Sequence, residues 1–182
     1  MIFFILGYSP RAPHPAHAAQ MVLDAPVKKT MIPINVTHTA IFTKQLQARL
    51  LSPDNPSNPI PAATNLRYSL STVIGFFADA YKSTFGFNDG PPLHDALTIA
   101  YVSQPELFKT IRKRVDVELG GIHTRGETVV DVWDYQLCDD TWGSGGKNCL
   151  VAQSMDVCLL PFHVAYLLTP CAFRLIDSLN SC

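Results

Sequence analysis

Two kinds of apolar periodicity alternate along this chain of 182 residues, and the alternation constrains the fold more than any other feature. Leu66 to Phe85 carries apolar residues spaced for one face of a long helix, and Gly86 follows as a helix-ending residue. Shorter apolar runs, such as Thr30 to Val36 and Cys149 to Met155, are typical of buried strands. Helices that alternate with apolar strands predict an α/β architecture.

The same patterns predict the remaining elements. The predicted helices run from His17 to Asp24, from the capping residue Thr43 to Leu51, and from His94 to Val102. The further predicted strands run from Thr110 to Leu119 and from Glu127 to Val132. Four prolines predict a loop over Ser52 to Asn65, and Trp142 to Lys147 is a Gly-rich turn.

Two groups of side chains favour ordinary structural roles. The aromatic residues of the long helix are expected in the core; they are Phe76, Phe77, Tyr81 and Phe85. The basic run Arg112-Lys113-Arg114 alternates with apolar residues, which predicts the solvated face of a strand. His38 follows a predicted strand and is expected to be a structural hydrogen-bond partner.

Composition narrows the function classes. A charged fraction of 16% and a hydrophobic fraction of 47% indicate one globular domain. A formal net charge of −1 gives no sign of a nucleic-acid partner. The apolar start, Met1 to Gly7, is too short to span a bilayer, and prolines, His163 and Arg174 interrupt the apolar tail. Five cysteines without a Cys-x-x-Cys pair predict free thiols in a cytoplasmic protein.

An ionisable pair follows the turn Gly90-Pro91-Pro92. His94 and Asp95 lie side by side at the start of an apolar helical run, where backbone N–H groups favour negative charge. A carboxylate in this position is suited to bind a metal ion, and the imidazole can move protons near neutral pH. The ordinary alternative is an Asp helix cap beside a surface His.

The residues around this pair resemble one enzyme family. Pro92-Leu93-His94-Asp95-Ala96-Leu97 is similar to the Pro-Leu-His-Asp-Pro-Leu segment of the inosine–uridine-preferring nucleoside hydrolases. Other similar stretches occur in the same order, from about His17 to about Val157. They are Pro33 to His38, Ala100 to Val102, Pro105 to Phe108, Arg114 to Glu118, and Thr124 to Asp131.

The chain also departs from this family. The family's Asp-rich loop, which supplies most calcium ligands, has no counterpart here, and neither does its ribose-holding segment with Asn, Glu and Asn. The resemblance therefore implies the C-terminal half of a nucleoside hydrolase, with the N-terminal part of the fold missing. We expect residues 1–182 to form a single, incomplete domain whose off-pattern ends are residues 1–16 and 158–182.

The resemblance implies an open, mostly parallel sheet with flanking helices, and hydrolysis of a purine or pyrimidine ribonucleoside to free base and ribose. It implies that Asp95 is a ligand of Ca²⁺ and that His94 donates a proton toward the nucleobase. Tyr81 lies on the segment that caps the base in the family, although packing of the helix is its ordinary alternative. Homo-oligomerisation is common in the family, and a homo-oligomer is a possible partner state for this chain.

A second hypothesis comes from another class of protein. Half of a sheet exposes an unpaired edge and an uncovered apolar face, both of which favour association. The chain would then be a catalytically inactive fragment that acts through a partner or as an oligomer.

Overall fold

The computed structural model describes residues 2–3, 15–58 and 61–157. The helices are α1 (Pro15–Asp24), α2 (Ile34–Thr37), α3 (Lys44–Leu51), α4 (Asn65–Phe85) and α5 (Ala96–Ser103), with a short 3-10 helix at Pro105–Leu107. The strands are β1 (Ile2–Phe3), β2 (Thr30–Met31), β3 (Phe108–Lys113), β4 (Val115–Val117), β5 (Thr128–Val130) and β6 (Cys149–Met155). The predictions for α1, α3, α4 and β6 are confirmed to within two residues.

The chain divides into two compact units. Of the described residues, the first unit comprises 2–3, 15–37 and 97–155, and the second comprises 38–58, 61–96 and 156–157. The apolar tail that begins at residue 158 lies outside the described residues. No helix in the described part of the chain combines the length and the apolar character that crossing a membrane needs.

A four-stranded sheet forms the centre of the first unit. Its strand order is β1-β2-β6-β3, with β1–β2 and β2–β6 parallel and β3–β6 antiparallel. A separate antiparallel pair joins β4 to β5. Together with the helices, this topology confirms the predicted α/β class and a sheet in which two of three pairings are parallel.

The strand predicted from Thr30 to Val36 is wrong beyond Met31. The C=O of Pro33 accepts hydrogen bonds from the N–H groups of Val36 and Thr37, at 2.9 and 3.1 Å. Because a proline cannot donate to a strand ladder, the chain leaves the sheet near Pro33 and turns into α2.

The predicted strand from Thr110 to Leu119 is two strands in two sheets. β3 ends at Lys113 and β4 begins at Val115, so Arg114 marks the change of partner. The adjacent Asn148 is fully buried, and its side chain bonds to the backbone of Val115 and Leu23. These bonds replace the ladder hydrogen bonds that a continuous strand would have made.

The prediction that Arg112, Lys113 and Arg114 form a solvated face is also wrong. Lys113 and Arg114 are 6% and 9% exposed. Lys113 Nζ lies 2.6 Å from Asp134 Oδ2. Arg114 donates to both carboxylate oxygens of Asp116. Burial of these cations is tolerated because each has a carboxylate partner.

The apolar core of the first unit lies between α1 and the strands. Its buried residues are Ala16, Leu23, Met31, Val115, Val117, Cys149 and Val151. Burial raises the pKa of the Cys149 thiol to about 11. Lys29 is fully buried as well, and its Nζ donates to the carbonyls of Ala25 and Trp142.

The second unit is built on α3 and α4. Thr43 and Thr64 cap these two helices by accepting from the N–H groups of Leu46 and Arg67. The Arg67 guanidinium is buried and donates to the carbonyl of Leu50 at 2.8 Å. The unit's small core consists of Phe42, Leu46 and Leu50, with Leu70, Ile74 and Leu93 packed against it.

The aromatic residues of α4 do not form a core, which corrects the sequence expectation. Phe76, Phe77 and Phe85 are 72%, 49% and 66% exposed. Only Tyr81 of this group is half-buried. Their spacing is compatible with burial, but the buried face of α4 instead carries Arg67 and Ser71.

We expect Asn148→Ala to destabilise the protein by about 3 kcal/mol, because it leaves buried backbone groups without hydrogen-bond partners. Urea unfolding followed by circular dichroism measures the change. Asn35→Ala, at an exposed asparagine of the same unit, is the control and should cost less than about 0.5 kcal/mol. Equal stability of the two variants would contradict the role assigned to Asn148.

Candidate active site

A short backbone pairing in the second unit places His94. Residues 40–42 and 91–93 run antiparallel, joined by backbone hydrogen bonds of 2.9 and 2.8 Å. Residues 91–93 are therefore extended, and α5 begins only at Ala96. The predicted helix from His94 to Val102 is thus wrong at its start, because His94 and Asp95 precede the first helical turn.

Gly90 permits this close approach of the two segments. Its φ is +140°, and a Cβ at this position would lie 2.1 Å from the carbonyl oxygen of Phe42. Gly86, at φ +75°, ends α4 in the left-handed conformation but has open space around its Cα. Gly90 therefore meets a requirement for space as well as for backbone conformation, whereas Gly86 meets a requirement for backbone conformation alone.

The structure brings His94 and Tyr81 together. The Tyr81 hydroxyl lies 3.0 Å from Nε2 of His94, and the two ring centroids are 6.0 Å apart. A phenol donates to a neutral imidazole nitrogen or accepts from a protonated one, so the pair can pass a proton in either direction. Tyr81 reaches His94 from the last turns of α4.

The surroundings of His94 favour its neutral form. Burial lowers the pKa of His94, the nearby His38 lowers it further, and Asp95 opposes both effects. His94 is half-buried, and the ring centroid of His38 lies 5.6 Å from that of His94. A neutral imidazole beside the Tyr81 hydroxyl is ready to accept or relay a proton near pH 7.

Two rings beside the Tyr81–His94 pair were missed by sequence reasoning. His38 was expected to be only a structural partner, yet its ring lies beside that of His94. Phe87 contacts the rings of both His38 and Tyr81, with centroid distances of 5.4 and 5.8 Å. The sequence signal for Phe87 is its place directly after Gly86, since a residue there often packs back on the helix.

Other chemistry-bearing residues have structural environments. Arg112 stacks at 4.0 Å over the ring of Trp142, beside the Gly-rich turn. Cys149 is buried with a raised pKa, which makes it a poor nucleophile. Within the described residues, the Tyr81–His94 pair therefore has the arrangement best suited to proton transfer.

Comparison with known proteins assigns the family. Residues 15–159 match the inosine-uridine preferring nucleoside hydrolases. The chain belongs to this family. The matched range agrees closely with the stretch from about His17 to about Val157 over which the sequence resembles the family, so that recognition is confirmed.

Individual nucleoside hydrolases show how much of the family fold this chain spans. A probable ribonucleoside hydrolase of Dictyostelium discoideum is 36% identical over 116 residues, which are 64% of this chain and 33% of that protein. The pyrimidine-specific ribonucleoside hydrolase RihA of Salmonella newport (strain SL254) is 35% identical over 117 residues, 64% of this chain and 34% of that protein. The chain spans about a third of the length of these relatives.

A solved nucleoside hydrolase gives the same result for the fold. The purine-preferring ribonucleoside hydrolase from Gardnerella vaginalis aligns with a TM-score of 0.61 and 27% identity, over 81% of this chain and 42% of that one. This match supports the nucleoside hydrolase-like fold of the described elements.

The carboxylate expected to bind calcium is exposed. Asp95 lies in the turn directly before α5, next to His94. Within residues 15–58 and 61–157, no three His, Cys, Asp or Glu side chains are grouped so that they could hold a metal ion. Calcium takes six to eight oxygen ligands, so the described residues do not fit this ion.

We expect Gly90→Ala to cost more than about 3 kcal/mol, because the methyl group meets a backbone carbonyl at a φ that only glycine tolerates. Gly86→Ala should cost only about 1 kcal/mol, the strain of a left-handed alanine in open space. Urea unfolding of both variants provides the comparison. A cost at Gly90 no larger than that at Gly86 would mean that the close approach is easily relaxed.

Proposed function

We propose that this chain supplies the base-side chemistry of a nucleoside hydrolase. The reaction is hydrolysis of the N-glycosidic bond of a ribonucleoside, from nucleoside and water to free base and ribose. Family membership supports the reaction class, and the 3.0 Å contact between Tyr81 and His94 supports the base-side role. We also propose that the described units belong to one nucleoside hydrolase-like domain, since the family match spans both.

The leaving base determines what Tyr81 and His94 would do. As the bond between base and ribose breaks, the base takes the electron pair and needs a proton or a strong hydrogen bond. His94 is assigned to donate that proton, which solvent then replaces on the imidazole, and the Tyr81 hydroxyl is assigned to hydrogen-bond Nε2 of His94 and to contact the base. The base itself is a purine or a pyrimidine, because the relatives include a pyrimidine-specific and a purine-preferring enzyme.

Water activation is the part of the reaction that the described residues do not complete. The family is generally metal-dependent, and Asp95 remains the residue proposed as a calcium ligand. In the described part of the chain, Asp95 does not belong to a group of three or more His, Cys, Asp or Glu side chains that could hold a metal ion. We therefore infer that this chain binds a nucleoside through its base and releases ribose slowly or not at all. Cytoplasmic location stays a prediction, supported by the free thiols of Cys138 and Cys149.

Nucleoside binding tests this assignment directly. Titration of the full chain with inosine or uridine, followed by calorimetry, should show binding that Tyr81→Phe and His94→Ala each weaken roughly fivefold, the worth of one hydrogen bond. Tyr68→Phe removes an exposed hydroxyl from the same helix and should change nothing. Absence of binding, or equal effects of Tyr68→Phe and Tyr81→Phe, would refute the base-side role.

A ribose-release assay with added calcium completes the test. We expect little or no ribose from either nucleoside, because Asp95 is the one matched calcium ligand. Robust release that both His94→Ala and Asp95→Ala abolish would contradict this expectation. It would show that other residues complete the metal site and activate water.

An uncharged apolar face on α4 favours the second candidate function, self-association. Val73, Phe76, Phe77 and Ala80 are exposed at the spacing i, i+3, i+4, i+7, which places them on one side of the helix. A face without charges can pack against its own copy without burying an unpaired ion. The proposed occupant of this face is therefore a second copy of the chain.

Light scattering coupled to size exclusion should give a mass above the 20.1 kDa of one chain. Replacing Phe76 and Phe77 together by serine should return the protein to a monomer, since it removes most of the apolar area of the face. Asp79→Asn lies on another side of α4 and serves as the control. A monomeric parent with a cooperative thermal transition would exclude self-association.

A further inference from the structure

Four rings in the second unit form a closed series of contacts. They belong to Tyr81, His94, His38 and Phe87. Around the series, the centroid distances are 6.0, 5.6, 5.4 and 5.8 Å. His94 therefore has Tyr81 on one side and His38 on another. Phe87 lies opposite His94 and contacts both of these neighbours edge-on.

The backbone fixes the position of Phe87 independently of the rings. Gly86 ends α4 at φ +75°, and the N–H of Phe87 then points back to the carbonyl of Tyr81 at 3.5 Å. This turn brings Phe87 over the end of its own helix, where its ring is half-buried. Phe87 is thus anchored to α4, and its ring can restrain the Tyr81 and His38 rings that it contacts.

The contacts of Phe87 exceed what the end of a helix requires. A residue that follows a helix-ending glycine commonly packs on the last turn, and contact with Tyr81 alone would fit that role. Phe85 also contacts Tyr81, at 5.4 Å, although it is largely exposed. Of these two phenylalanines, Phe87 is the one whose ring also reaches His38.

The hydrogen bond between Tyr81 and His94 depends on a restraint from neighbouring rings, because both residues lie near the ends of elements. Tyr81 lies near the end of α4, where helices fray, and His94 lies in the segment between an extended stretch and α5. Two side chains on the ends of elements keep one hydrogen-bond geometry only if their surroundings restrict them. Edge contacts from one anchored ring provide that restriction for Tyr81 and, through His38, for the other side of His94.

We propose that Phe87 is a positioning residue of the base-side site. It holds the Tyr81 hydroxyl on Nε2 of His94 and holds His38 against the same imidazole, so that the pair is arranged before a base arrives. This inference rests on the proposed function for its purpose, but its geometry is testable without catalysis. Phe87 acts through its neighbours and is not assigned a contact with substrate.

Nuclear magnetic resonance on the full chain with labelled His and Tyr tests the proposal. The parent should show cross-peaks between the ring protons of Tyr81 and His94, and a His94 Nε2 shift typical of a hydrogen-bonded nitrogen. Phe87→Ala should lose the cross-peaks and move that shift toward its value in Tyr81→Phe. Phe85→Ala, a matched loss of a ring beside Gly86, should retain both signals, and Phe87→Tyr should restore them.

Two outcomes would overturn the proposal: cross-peaks that persist in a folded Phe87→Ala variant, or equal loss of them in Phe85→Ala. If circular dichroism shows that Phe87→Ala is unfolded, the same NMR signals are measured on Phe87→Leu instead. Leucine keeps an apolar contact on the helix but supplies no ring edge, so the proposal predicts that the signals are lost. Retention of the signals in Phe87→Leu would then overturn the proposal. A chain with intact cross-peaks but no nucleoside binding would refute the proposed function and leave the role of Phe87 standing.

Discussion

The antiparallel pairing of residues 40–42 with residues 91–93 is the constraint on which the candidate site depends. It carries His38 and His94, which flank the paired segments, to the same end of the pairing, and their rings lie side by side. The pairing exists because Gly90 allows a backbone approach that any Cβ would block. A restriction on the main chain therefore determines which side chains meet at the candidate site.

Local signals made much of the fold predictable. Thr43 and Gly86 mark helix ends through capping chemistry that involves only neighbouring residues, and β6 begins with the apolar run Cys149 to Ala152. The errors arose where remote partners decide the outcome. Lys113 is buried with Asp134 as its partner, and the buried face of α4 carries Arg67, which donates to the carbonyl of Leu50, rather than Phe76. A sequence pattern does not reveal such partners.

Only part of the candidate site was predictable from the sequence. His94 was predicted from a motif and Tyr81 from a family resemblance. The structure places the Tyr81 hydroxyl 3.0 Å from Nε2 of His94. His38 and Phe87 are recognised as part of the site only from the structure. His38 lies in a stretch that resembles the family but was assigned a structural role, and Phe87 lies in no such stretch. Sequence reasoning finds residues with a chemical signature, whereas residues that act by restraining others become visible through contacts.

The burial of Cys149 has a consequence for how the first unit can be observed. Its thiol is 1% exposed, and burial raises its pKa to about 11, so the native state protects it from alkylating reagents both sterically and chemically. Modification must then wait for an opening that separates β6 from the helix packed on it. The rate at which Cys149 is alkylated therefore reports how often the central sheet of the native protein opens.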